Sequence, residues 1–427
     1  MVKQSRAGSQ DVVGAVDRLS TLPVGLIHTL LSFLPSPEVV RTCVLSRRWR
    51  NLWRSMPRIN LDEKDFGISL GHDGAMTEKW AKFEDFATNL LLFHDSTSSL
   101  GEFCLFSLAH NQRHVDRWIR RGIEYCPSVL NIQTPGYPYF KLPPVVGSSF
   151  RHLKTLRLHG VNLGSHFTGL LCSACPVMED LMLENCELRG NSSQGITSAT
   201  LKNLELECCD NHTGYPLVIS VPNLAYLCLS CGYHVPGISL CKKMDSLVRA
   251  RIENYSFSQQ TQRELLCSLY NVTTLELVDF EVEGMLNAEP DKFPIFHNIR
   301  TLDLHRCFLN DYELHFKLEA LGSFLQRAPC LEKLILRYCM MIFDILHGSL
   351  FFCQKFNSHS DSVWENERKN ITLHRQGGKT FQCPKLMLIE VIYDHDHDHQ
   401  LIELVWRLGR SLANASIKLK KIEKTSK

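Results

Sequence analysis

The stretch LKTLRLHGVNL, residues 153–163, decides the fold. Leu153, Leu156, Leu158 and Leu163 fall at positions one, four, six and eleven, with polar residues at three, five and seven. In an extended chain alternate side chains point to opposite faces, so the inner leucines enter a core and their neighbours leave it. The same phrase restarts at Met178, Leu201, Leu224, Leu247, Val272, Ile299 and Leu331, at intervals of 25, 23, 23, 23, 25, 27 and 32 residues. One such phrase is common in any buried strand, but eight in near-constant register are not a chance event.

Most intervals fit the roughly 20–29-residue period of leucine-rich repeats, whose signature L-x-x-L-x-L-x-x-N/C-x-L the phrase follows. A single unit cannot bury its leucine row, whereas stacked units pool their rows under one parallel sheet. The expected fold class is therefore α/β, a solenoid with a parallel concave sheet and a helical or irregular convex side. Weaker copies at Phe103 and Pro127 extend the array toward the amino terminus. Helical spacing before a proline, in FTGLLCSACP from Phe167 and LEALGSFLQRAP from Leu318, marks convex segments.

Cys186, Cys209, Cys307 and Cys339 occupy the N/C position, where a small side chain turns in beneath the strand, so packing accounts for them better than metal or redox chemistry. The polar positions face outward on the concave side. There Asp180, Glu184, Glu205 and Glu207 form an expected acidic patch, with Arg249 and Arg251 further along, as a candidate substrate-binding surface for a basic segment of a target.

Upstream, DRLSTLPVGLIHTLLSFLPSPEVVRTCVLSRRWRNLWR, residues 17–54, divides into three short helical stretches. Pro23 suits a first turn, and Pro35 stops the run of Leu26, Ile27, Leu30, Leu31 and Leu34. Ser36-Pro37-Glu38 reads as a cap, a first-turn proline and an acid at the positive end of the helix dipole. Ser46 is the expected cap of a third helix carrying Trp49 and Trp53. Three helices this small cannot cover their own apolar faces.

This segment closely resembles the F-box of plant F-box proteins with leucine-rich repeats, in Leu22-Pro23, Leu34-Pro35 and VRTCVLSRRWRNLW from Val40. The resemblance implies a hydrophobic face for a Skp-type adaptor, and through it a cullin and a RING subunit. The implied adaptor contacts are Leu22, Pro23, Ile27, Leu30, Leu34, Pro35, Val40, Val44, Leu45 and Trp49. Many relatives have an acid directly after Leu-Pro, whereas Val24-Gly25 stands here. At the other end, FQCPKLMLIEVIYD and SIKLKKI read as strands and LIELVWRLGRSLANA as an amphipathic helix. This tail resembles the FBD region of plant F-box repeat proteins and implies an α+β cap on the array.

The 427 residues include 47 Lys and Arg against 45 Asp and Glu, a net charge of +2, so no global field favours nucleic acid or anionic lipid. No apolar run is long enough to span a membrane and no signal-like leader is present, so the 17 cysteines read as reduced thiols in nucleus or cytoplasm. Asp394 to His399 alternates Asp and His, but one exposed tip closes no tetrahedral cage, and neither metal nor cofactor is assigned. Gly377-Gly378-Lys379-Thr380 lacks the glycine a phosphate loop needs where Leu373 stands. The expected organisation is a flexible leader at 1–16, an F-box at 17–58, repeats at 59–342, an insertion at 343–380 and an FBD-like cap at 381–427. It implies a non-catalytic substrate-recognition subunit of an SCF-type ubiquitin ligase. The alternative is a repeat scaffold that binds proteins without degrading them.

Overall fold

The computed structural model describes residues 21–68, 76–95, 100–108, 112–136, 138–142, 150–164, 167–190, 195–231, 237–240, 244–254, 257–280, 294–307, 321–338, 383–393, 407, 408, 410, 412 and 415–421. The expected leader, the insertion, Cys339, Gly377 to Thr380 and the Asp394–His399 run lie outside them, as does most of the helix expected from Leu401. The chain divides into two compact units, 1–187 and 188–427.

In the first unit the F-box segment runs as α1 (Val24–Leu31), α2 (Ser36–Arg41) and two 3-10 stretches, Thr42–Val44 and Trp49–Ser55. The third helix expected to be capped by Ser46 is thus a 3-10 segment. Side chains three apart eclipse in that geometry, which puts Trp49 and Leu52 together in the core. The Ser36 cap is also absent, because the helix starts at Ser36 itself with Pro35 before it and no side-chain cap bond. The Ser36 hydroxyl instead accepts the Asn60 amide at 3.3 Å, tying the F-box to the strand that follows.

That strand, Arg58–Asp62, opens a parallel series continued by Glu102–Phe106, Val129–Gln133, Thr155–His159 and Asp180–Glu184. Two helices lie between these strands in sequence, α3 (Met76–Phe93) and α4 (Gln112–Glu124), and α5 (Phe167–Ala174) forms where helical spacing predicts it.

In the second unit Asn203–Asn211, Tyr226–Cys231, Arg249–Glu253, Thr274–Val278, Thr301–His305, Lys333–Arg337, Leu388–Tyr393 and Ser416–Lys421 pair in order, each parallel to the next. Across both units, all eight phrases form a strand that begins at phrase position three. The two carboxyl-terminal strands extend the parallel series, so the strand part of the expected cap is sheet continued. The other departure is a second parallel sheet of Gly195–Thr197, Leu217–Ser220 and Ile238–Leu240, where a helical or irregular side was expected. In Leu217–Ser220 Leu217 and Ile219 are buried while Val218 is exposed, a period of two that stabilises a strand.

Phrase position eight takes a left-handed conformation at Gly160, Asn185, Cys208, Asp279, Arg306 and Tyr338, just after the strand in every case but Cys208, which is the irregularity inside Asn203–Asn211. Gly160 is required there, since a Cβ would meet the Thr134 carbonyl oxygen at 2.3 Å. The following cysteines are buried as expected: Cys186 Sγ donates to Leu158 O at 3.4 Å and Cys307 Sγ to Leu277 O at 3.3 Å, each reaching the carbonyl of an adjacent strand.

Candidate functional site

The amino-terminal helices sort their apolar residues into two sets. Ile27, Leu31, Val39, Trp49, Leu52 and Met56 form a closed core, with Leu22 and Trp53 packed against it. Val24, Leu26, Leu30, Phe33, Leu34, Val44 and Leu45 remain exposed, Phe33 by 81% and Val44 by 82%. So much exposed apolar surface on one small module is the usual mark of an interaction site.

Backbone geometry explains the division. The Pro23 carbonyl accepts the Leu26 and Ile27 amides at 3.0 and 3.1 Å, which starts α1 without a side-chain cap or an acid in its first turn. One helical stripe, Ile27 and Leu31, then enters the core, and the adjacent stripe at 26, 30 and 33 stays outside. Arg48 Nη2 donates to Leu22 O at 2.5 Å, holding the 3-10 segment across the start of α1.

Among the ten residues expected to contact an adaptor, Leu30, Leu34, Val44, Leu45, Pro23 and Pro35 are exposed, and Leu22 and Val40 are half-buried. Ile27 and Trp49 are not surface residues: they are fully and almost fully buried in the module's own core. Val24, Leu26 and Phe33 join the exposed set unanticipated. The spacing of 26, 30 and 33 was the signal for that second stripe.

The sheet faces show a different chemistry. In the first unit Thr155 Oγ1 donates to Asp180 Oδ2 at 2.9 Å, and His159 Nδ1 stands 3.3 Å from Glu184. In the second, Arg251 pairs with Glu276 and reaches Glu253 at 3.7 Å. Arg306 bonds Asp279 through two nitrogens, Arg337 lies 2.8 Å from Asp303, and Lys333 lies 2.9 Å from Glu390. The Arg249 guanidinium lies 5.6 Å from the centre of the Tyr226 ring. Cys228 Sγ donates to Glu207 Oε1 at 3.7 Å, and burial, reinforced by that carboxylate, pushes the thiol up to about 12. Burial also raises the Tyr226 phenol to about 12, with Cys228 and Glu205 contributing.

The expected acidic residues are partly compensated within each unit. Asp180 and Glu184 belong to the first unit and Glu205 and Glu207 to the second. Arg251, expected further along the same surface, is held by carboxylates on its own and the next strand. In-register parallel pairing brings residues of equal phrase position side by side, so Arg251 meets Glu276 and Glu276 meets Asp303 along one row.

The exposed apolar face and its closed core lie within residues 19–61, which match the F-box domain. Over most of its length the chain is similar to plant F-box proteins. A meiotic F-box protein of Oryza sativa subsp. japonica is 29% identical over 355 residues, covering 76% of this chain and 72% of the relative. An F-box/LRR-repeat protein of Arabidopsis thaliana is 26% identical over 81% of this chain and 98% of its own length. An FBD-associated F-box protein of Arabidopsis thaliana is 27% identical over 79% and 80% respectively.

Proposed function

We propose that this chain is the substrate-recognition subunit of an SCF-type ubiquitin ligase. The carrying observation is the row of exposed apolar side chains, Leu26, Leu30, Phe33, Leu34, Val44 and Leu45, on a module whose own core is already complete. Residues not needed for internal packing are available to a partner, and a Skp-type adaptor is the partner that an F-box implies. Through the adaptor the chain joins a cullin and a RING subunit. The leucine-rich strands form a solenoid that holds a protein target, and the carboxyl-terminal strands belong to its FBD-like end. The chain acts in nucleus or cytoplasm and supplies contacts, not chemistry: its role is to raise the effective concentration of a target beside a ubiquitin-loaded enzyme.

Co-purification with a Skp-type adaptor tests the first half. Wild type captures the adaptor, and Leu30→Asp with Phe33→Asp weakens capture about 100-fold or more, because burying each such side chain is worth about 1.5–3 kcal/mol and 1.4 kcal/mol is tenfold. Thermal unfolding of the free double variant stays close to wild type. Failure of the wild-type chain to capture any Skp-type adaptor overturns the proposal. A scaffold is distinguished by reconstitution with cullin and RING subunit, since only a receptor drives ubiquitination of what the strands hold. In that assay Glu205→Lys with Glu207→Lys abolishes target capture and leaves adaptor binding intact.

A further inference from the structure

His94 stands where the F-box meets the elements after it. It follows α3, is 5% exposed, and its Nε2 lies 2.9 Å from the carbonyl oxygen of Met56, the last core residue of the F-box. Its other ring nitrogen, Nδ1, is buried with no hydrogen-bond partner among the described residues. Tyr125, just beyond α4, packs edge-on to the ring at 5.0 Å and donates its hydroxyl to Leu91 O at 2.7 Å. Two further bonds close the same seam: the Asp95 amide to Arg54 O at 2.7 Å, and Arg54 Nε to Phe93 O at 2.8 Å.

This bonding fixes the tautomer. Met56 O is an acceptor only, so Nε2 carries the hydrogen and Nδ1 is the bare lone pair in a neutral ring. A proton added at Nδ1 puts a charge on a ring that is almost fully buried, and that desolvation is costly. The charged groups near the ring pull in opposite directions. The bond to Met56 O favours the proton, as do the charge and the backbone of Asp95, whereas Arg121 on α4 opposes it. Burial outweighs them and pushes the imidazole below its ordinary value. Tyr125 faces the ring as a neutral phenol, itself pushed up by burial, and Arg54 is engaged with Phe93.

We propose that His94 makes the seam between the F-box and the first strands a pH-sensitive latch, closed while the ring is neutral and loosened when Nδ1 takes a proton. The sign follows from linkage: a histidine depressed in the folded state stabilises the closed form fully above its unfolded value. That contribution is lost as pH falls toward the folded value. The latch does not depend on adaptor binding, because every group in it belongs to this chain.

Hydrogen exchange of the free full-length protein, normalised for intrinsic exchange, tests it at pH 7.5 and pH 5.5. In wild type the protection of residues 54–56 and 91–95 falls by up to about tenfold at the lower pH, the limit set by an ordinary imidazole value near 6.5. In His94→Gln the amide nitrogen still donates to Met56 O but does not titrate, so protection there is the same at both pH values. Equal protection at both pH values in wild type overturns the proposal. So does an equal loss in both proteins, which would assign the effect to another group such as His28, half-buried beside Ser55 in the F-box. Should His94→Gln fail to fold, exchange of the His94 C2 hydrogen in wild type decides: titration below the ordinary value supports the latch, and titration at or above it ends the idea.

Discussion

The F-box and the parallel strands use the same leucines for opposite purposes. In the second unit the inner positions, such as Leu227, Leu229, Ile252, Leu275, Leu277, Leu302 and Leu304, are completely buried. Strand after strand repeats the register, with one irregularity between Glu207 and Cys209. In the F-box a core of six residues coexists with seven large apolar side chains left in solvent. Apolar burial is the main source of folding free energy, so the leucines of the strands stabilise the fold whereas those outside the F-box core contribute little to it. Exposed apolar surface on that scale is the usual mark of an interaction site.

The largest expected effect follows from this contrast. Leu277→Ala removes a fully buried side chain between two flanking strands and should cost about 2–5 kcal/mol. Leu30→Ala, on a residue 50% exposed, should cost less than about 0.5 kcal/mol. Urea denaturation of both variants checks the pair. Comparable losses would mean that the F-box face is covered by the chain itself, and the contrast between the two regions would fail.

The periodic region was legible in the sequence because its signal repeats, and the F-box was legible as a motif but not as a surface. Each of the eight phrases announced a strand and its phase. The strand Arg58–Asp62 went unseen since Ile59 and Leu61 make a single alternation directly after Pro57, too short to stand out. The second sheet was hidden for a similar reason, its strands spanning only three or four residues. In the F-box, stripes at 27 and 31 and at 26, 30 and 33 are equally apolar in sequence. Only packing of Trp49, Leu52 and Met56 decides which stripe turns inward. The polar face of the strands misled in another way: outward positions were legible, but their mutual neutralisation depends on residues 25 to 34 apart meeting across adjacent strands.

That neutralisation gives the next effect in size. Asp303 is nearly buried and receives Arg337 from the adjacent strand through Nε and Nη2 at 2.9 and 2.8 Å. Asp303→Ala leaves a half-buried guanidinium without that acceptor and should cost about 1–3 kcal/mol, between the values for exposed pairs and for bonds to buried charge. Glu38→Ala in the F-box breaks the exposed pair with Arg41 and should cost about 0–0.5 kcal/mol. Thermal unfolding in low and high salt sharpens the distinction, because screening weakens the exposed pair more than the enclosed one.

The smallest effect concerns backbone conformation. Among the described residues, the non-glycine positions of positive φ are Cys126, Asn185, Cys208, Asp279, Arg306 and Tyr338, all beyond the F-box. Such conformations often mark functional strain, but recurrence at phrase position eight makes five of them a feature of the repeat, four just after a strand and Cys208 at the irregularity inside Asn203–Asn211. Cys126 differs: it follows α4 with φ of 50°, its amide bonded to Ile123 O at 2.9 Å, at a helix end where glycine is the usual residue. By contrast α1 and α2 end on Ser32 and Thr42 in right-handed conformation. Cys126→Gly should therefore stabilise the protein by about 0.5 kcal/mol, the relief of left-handed strain exceeding the added entropy of the unfolded chain. Ser32→Gly, where no strain exists to relieve, should destabilise by a similar amount. Opposite signs in thermal unfolding would place the strain in the repeated region, and a loss in both variants would show that Cys126 is held without strain by its packing.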